Sequence, residues 1–139
     1  MMPVTLIDAG PLTALLNPND ERHSWARETI DPLTGPLLTS EPVLTESLHL
    51  LRRDGCDADE LFALTEAGLV SIGLRFDDEQ TALRELMRRY RNVPMSLADA
   101  TLVRLSELHR VSQIFTLDAD FRIYRRHGNK VIPVLMPED

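Results

Sequence analysis

The chain has 139 residues, 43% hydrophobic and 27% charged, with a net charge of −7. That length and balance fit one globular domain, residues 1–139, whose core can stand without disulfide staples. A single cysteine, Cys56, excludes an intramolecular disulfide and suits a reducing cytoplasm, and the acidic balance argues against gripping nucleic acid by general electrostatics, while leaving room for carboxylates that hold cations.

The opening Met1-Met2-Pro3-Val4 lacks the basic start and apolar run of a signal peptide. No apolar stretch approaches the roughly 18 residues that a membrane span needs. Val4–Ile7 reads as a short buried strand. A helix follows, with Pro11 at its first position and Gly10 as its cap. The next helix runs from Asn19-Asp20 through Trp25 to Ile30 and is broken by Pro32 and Gly35-Pro36. Trp25 and Leu15-Leu16 are expected in core or interface. Leu37–Thr39 is a second strand, and 42–53 a helix stopped by Asp54-Gly55. Asp57-Ala58-Asp59-Glu60 has the form of a capping box for a helix to Ala67. A strand over 69–72, helices over 77–90 and 96–110, a strand over 112–116, a short helix over 119–126 and a weak strand over 131–133 complete the chain. Short strands alternating with helices predict a parallel sheet covered on both faces, joined by right-handed crossovers. In such folds, ligands bind beyond the carboxyl ends of the strands, near a switch in strand order.

Several carboxylates fall at such places. Asp8 ends the first strand, and with Gly10 as the cap its use as a helix cap is disfavoured. Asp99 closes Ser96-Leu97-Ala98-Asp99, itself a capping box, so cap and functional group compete there. Glu46 shares a helical stripe with Val43 and Leu50, which is costly unless its charge is paired or reaches water. Asp118 and Asp120 follow the fourth strand. Their Asp-x-Asp spacing opens a calcium loop, but Arg122 and Ile123 occupy positions that need a ligand and a glycine, so that reading fails. Gathering these charges is expensive: two unit charges 4 Å apart interact by about 4 kcal/mol at an effective dielectric near 20. A hard divalent cation with oxygen ligands, Mg²⁺ or Mn²⁺, relieves the repulsion.

Four segments together resemble the PIN-domain family, and within it the VapC-type toxin ribonucleases: Leu6-Ile7-Asp8-Ala9-Gly10-Pro11-Leu12, Val43 to Leu51 around Glu46, Met95 to Ala100 around Asp99, and Phe115-Thr116-Leu117-Asp118-Ala119-Asp120-Phe121. They occur in the family's order and span almost the whole chain. The resemblance implies a three-layer α/β/α fold with a parallel sheet of about five strands, and metal-dependent hydrolysis of RNA by an activated water. Asp8 and Asp99 match the central ligands. Glu46 and Asp118 complete the acidic set, with Asp120 a competitor of Asp118. Thr116 matches a hydroxyl position beside them. The resemblance also implies a small antitoxin partner and a homodimer.

RNA must still be steered to an acidic molecule. Arg122 and Arg125, in a basic cluster just after the last acidic motif, are candidate phosphate contacts; against this, cations at helix ends are favoured simply by the helix dipole. The four histidines lack metal-ligand spacing, and there is no Cys-x-x-Cys, Gly-x-Ser-x-Gly or phosphate-binding glycine loop. Two rival readings stand beside the ribonuclease. A haloacid dehalogenase-type phosphatase needs a second aspartate where Gly10 stands. A PIN-like module that binds RNA or protein without cutting would lack an acidic residue, and none of the four is missing.

Overall fold

The computed structural model describes residues 2–138. Its frame is a five-stranded sheet of β1 (Val4–Ile7), β2 (Leu37–Thr39), β3 (Val70–Ile72), β4 (Ser112–Phe115) and β7 (Val134–Leu135). The spatial order is β3-β2-β1-β4-β7 and every pairing is parallel. The helices are α1 (Ala9–Leu16), α2 (His23–Ile30), α3 (Glu41–Arg53), α4 (Asp59–Glu66), α5 (Phe76–Arg89) and α6 (Leu97–Leu108). A two-stranded antiparallel ribbon, β5 (Arg125–Arg126) with β6 (Lys130–Val131), lies outside the sheet.

The strands are apolar on both sides because both faces are covered. Leu6 and Ile114 join one core with Leu83, Leu86, Leu102 and Leu105 from α5 and α6. Their chain neighbours Ile7 and Phe115 join the other, with Leu12, Ala26, Leu51 and Leu61 from α1, α2, α3 and α4. Successive strand residues point to opposite faces, so continuous apolar runs fill two cores. Trp25 packs edge-on against Phe115, with centroids 5.2 Å apart. This is the three-layer α/β/α arrangement expected from the alternation of elements.

Four local expectations change. Asp8, not Gly10, caps α1: its side chain accepts the Ala9 N–H at 2.8 Å, and Pro11 falls at the third helical position, where its missing N–H also costs nothing. The capping box at Asp57 does not close. Ala58 precedes the helix, and Asp57 accepts from Asp59 N instead. The short helix after β4 is a 3-10 turn over Ala119–Arg122 and stops there, because Arg125-Arg126 pair with Lys130-Val131. The last sheet strand moves from 131–133 to 134–135. Pro133 contributes only its carbonyl, which accepts from Ile114 N at 2.9 Å.

The order places the site. From β1 the chain steps outward to β2 and β3, then returns across the sheet to β4, on β1's other side. The strand order therefore reverses between β1 and β4, and the crevice for a ligand opens beyond their carboxyl ends.

Candidate active site

The β1–β4 register pairs Leu6 with Ile114 and Ile7 with Phe115. One residue further, Asp8 comes beside Thr116. Asp8 N donates to Phe115 O at 3.0 Å, and the Thr116 hydroxyl donates to Asp8 Oδ2 at 2.7 Å. Asp8 is only 8% exposed and Thr116 is fully buried. Each Asp8 oxygen accepts one hydrogen bond, Oδ1 from Ala9 N and Oδ2 from Thr116. The same threonine oxygen accepts the Asp118 N–H at 3.0 Å.

Asp99 arrives from α6. A helix that leads into a parallel strand starts at the carboxyl edge of the sheet, so its first turn faces the crevice. The box expected at Ser96 forms: Asp99 N donates to Ser96 Oγ at 3.0 Å, and Ser96 N donates to Asp99 Oδ2 at 3.2 Å. Capping and site placement thus coincide in one residue, as they do in Asp8. The Asp118 carboxylate accepts Asp120 N at 2.9 Å through Oδ1, which caps the 3-10 turn. Glu46 lies in the second turn of α3. Val43 is buried and Leu50 half-buried, but Glu46 itself is exposed. It stands at the exposed border of the apolar stripe.

The four carboxylates share one electrostatic environment. Burial pushes Asp8 up to about 6, with the charges of Glu46 and Asp99 adding to the rise against the lowering hydrogen bonds from Thr116 and Ala9. Glu46 is raised by partial burial, then by Asp99 and Asp118. Asp99 is raised by burial and by Asp118, against hydrogen bonds from Ser96 and Tyr124. Asp118 therefore acts on both Glu46 and Asp99, while Asp120 acts on Tyr124. Of the two aspartates, Asp118 is the one whose charge reaches other members of the acidic set.

The donor set consists of carboxylate oxygens, the ligand type of Mg²⁺ and Mn²⁺. Asp99 Oδ1, Asp118 Oδ2 and the Glu46 carboxylate accept no hydrogen bond from other described residues, which leaves an oxygen on each for a cation. Among the described residues no three His, Cys, Asp or Glu side chains are drawn together tightly enough to enclose an ion.

The proposed phosphate contacts divide. Arg122 is exposed. Arg125 Nη1 folds onto the carbonyls of Arg122, Ile123 and Tyr124, at 2.7, 3.1 and 3.1 Å. Arg125 thereby secures the turn after the acidic motif.

One residue of the site escapes the sequence patterns. The Tyr124 hydroxyl donates to Asp99 Oδ2 at 3.0 Å, and the ring is fully buried. The available signal is an aromatic three residues after Phe121 that carries a hydroxyl, since a buried tyrosine needs a polar partner. Burial, then Asp99, holds its phenol well above the ordinary range, so it acts as a donor.

The PIN-domain family profile matches residues 5–126, and the chain belongs to the PIN-domain family. Among solved structures it is similar to the VapC20 toxin of Mycobacterium tuberculosis, a toxin that cleaves the sarcin–ricin loop, with a TM-score of 0.70 and 25% sequence identity over 84% of this chain and 91% of that one. No curated protein sequence matches the chain. The VapC-type resemblance of the four acidic segments thus has a counterpart in the fold.

Proposed function

We propose that the chain is a divalent-metal-dependent endoribonuclease of the VapC toxin type, in which Asp8, Glu46, Asp99 and Asp118 hold Mg²⁺ or Mn²⁺. What supports this reading is that β1, α3, α6 and the end of β4 carry four carboxylates linked by mutual electrostatic effects, Glu46 and Asp99 acting on Asp8, and Asp118 on Glu46 and Asp99, with Asp8 and Asp118 at the strand-order switch. The ion would supply an acidified water and offset charge on the phosphate. The chain's own residues do the rest. Asp8 and Asp99 supply the central oxygens, Glu46 and Asp118 complete the rim, and Thr116 fixes the Asp8 carboxylate against the Asp118 loop. Arg122, exposed just beyond that loop, contacts the RNA backbone.

The substrate is RNA, and the sarcin–ricin loop cut by the similar toxin is the first one to try. A small antitoxin and a second copy of the chain are the expected partners, and the cytoplasm the expected location. No helix among the described residues is long and apolar enough to cross a membrane. The test is cleavage of a sarcin–ricin-loop oligoribonucleotide, and of an unrelated hairpin, by protein stripped with EDTA. Restoration of an internal cut by added Mn²⁺ or Mg²⁺ supports the reading. Metal binding without any cut supports a non-catalytic PIN-like module, and phosphate release from small esters supports a phosphatase.

A further inference from the structure

The geometry points to Tyr124 as a positioning residue for Asp99, one that occupies Oδ2 so that Oδ1 alone faces the cation. This rests on the metal-holding role proposed for Asp99. Oδ2 accepts from two sides, the Tyr124 hydroxyl at 3.0 Å and the Ser96 N–H at 3.2 Å, while Oδ1 accepts from no other described residue. An aspartate carboxylate rotates in a broad, roughly two-fold torsional well. Two donors on the same oxygen remove that freedom and decide which oxygen points outward.

The phenol is fixed by its ring. Tyr124 is gripped edge-on by Tyr90, with centroids 5.1 Å apart, and by Phe121, at 5.3 Å. Phe121 belongs to the 3-10 turn that begins with the Asp118 cap. Tyr124 therefore ties the first turn of α6 to the loop that carries Asp118, and sets the two carboxylates relative to each other. Tyr90 shares that ring contact but has a different duty, because its hydroxyl accepts the Arg125 N–H at 2.9 Å. The two tyrosines differ in whether the hydroxyl reaches a carboxylate, and that difference makes Tyr90 the control.

The experiment measures Mn²⁺ binding to the full chain by the paramagnetic resonance signal of free Mn²⁺, together with melting temperature in EDTA. The variants are Tyr124→Phe, Tyr90→Phe and Asp99→Asn. Tyr124→Phe keeps the ring, so it should melt close to wild type, yet its Mn²⁺ dissociation constant should rise by about tenfold, the usual scale for losing a group that orients a metal ligand. Saturating Mn²⁺ should restore RNA cleavage. Tyr90→Phe should bind Mn²⁺ as wild type does. Wild-type affinity in Tyr124→Phe, or equal losses in both phenylalanine variants, overturns the proposal. Wild-type affinity in Asp99→Asn would instead overturn the metal-holding role of Asp99, so the two failures are distinguishable.

Discussion

Thr116 links two acidic motifs from opposite ends of the chain, donating its hydroxyl to Asp8 Oδ2 at 2.7 Å while accepting the Asp118 N–H at 3.0 Å. The parallel register between β1 and β4 makes the link possible, since it runs in step up to Ile7 and Phe115 and leaves the next residues side by side.

Replacing Thr116 with Val keeps the volume and removes both bonds. RNA cleavage should fall by about 10- to 100-fold, as when other groups that orient metal ligands are lost. Stability should drop by about 1–3 kcal/mol in the metal-free protein, because the buried Asp8 Oδ2 loses its donor. Thr116→Ser should recover most of the activity. Unchanged cleavage by Thr116→Val in a timed assay would remove the residue from the site.

Asp8 is raised by burial from an ordinary 3.8 to about 6. Between those values the folded state binds more protons than the unfolded chain, so metal-free stability falls as pH rises through that window. The loss at Asp8 is about 3 kcal/mol. Glu46 and Asp99 are raised too and add to the same slope. Melting curves in EDTA should therefore show a lower midpoint at about pH 7.5 than at about pH 5. Asp8→Asn should flatten the slope and melt above wild type at the higher pH. Added Mg²⁺ should stabilise wild type there and leave Asp8→Asn largely unmoved. A metal-free midpoint that climbs over this range would contradict the account.

Asp118 and Asp120 should separate cleanly. Asp118 acts on Glu46 and Asp99, whereas Asp120 acts on Tyr124. Asp118→Asn should lower cleavage by more than about tenfold. Asp120→Asn should stay within about twofold, the scale of an ordinary partly exposed substitution. The reverse ranking would make Asp120 the fourth acid.

Arg122 and Arg125 should also diverge. Arg122→Glu should weaken RNA binding and reduce the slope of log affinity against log salt by about 1, the signature of one lost phosphate contact. Arg125→Glu should cost about 1 kcal/mol or more of stability, because Nη1 secures three carbonyls. Filter binding over a salt series and thermal melts distinguish the two. An unchanged slope in Arg122→Glu would take it off the RNA path.

Much of this was legible in the sequence because the informative residues sit at strand ends and helix starts. Val4–Ile7 and Ser112–Phe115 are short apolar runs between helical patterns, and Asp8 and Thr116 follow them directly. Ser96 and Asp99 declare their helix by a capping box that the structure retains. The ribbon of β5 and β6 was not legible. Arg125-Arg126 and Lys130-Val131 show no alternation, and the turn between them relies on His127 and Gly128, both at positive φ (51° and 87°), a conformation that glycine adopts freely and other residues uncommonly. The capping role of Asp8 is hidden because Pro11 suggests a helix that opens at its own position, although a proline is also tolerated two positions later in the first turn. Tyr124 was invisible because its partner, Asp99, is 25 residues away and only the fold brings them together.

The carboxylates around the β1–β4 switch are proposed to hold a cation that serves RNA cleavage. The most direct test of that role compares folded wild type with folded Asp8→Asn on sarcin–ricin-loop RNA, with Mg²⁺ or Mn²⁺ and with EDTA. Wild type with metal should make an internal cut, and the other three combinations should make none. Equal cutting by Asp8→Asn, or cutting by wild type in EDTA, would contradict that role.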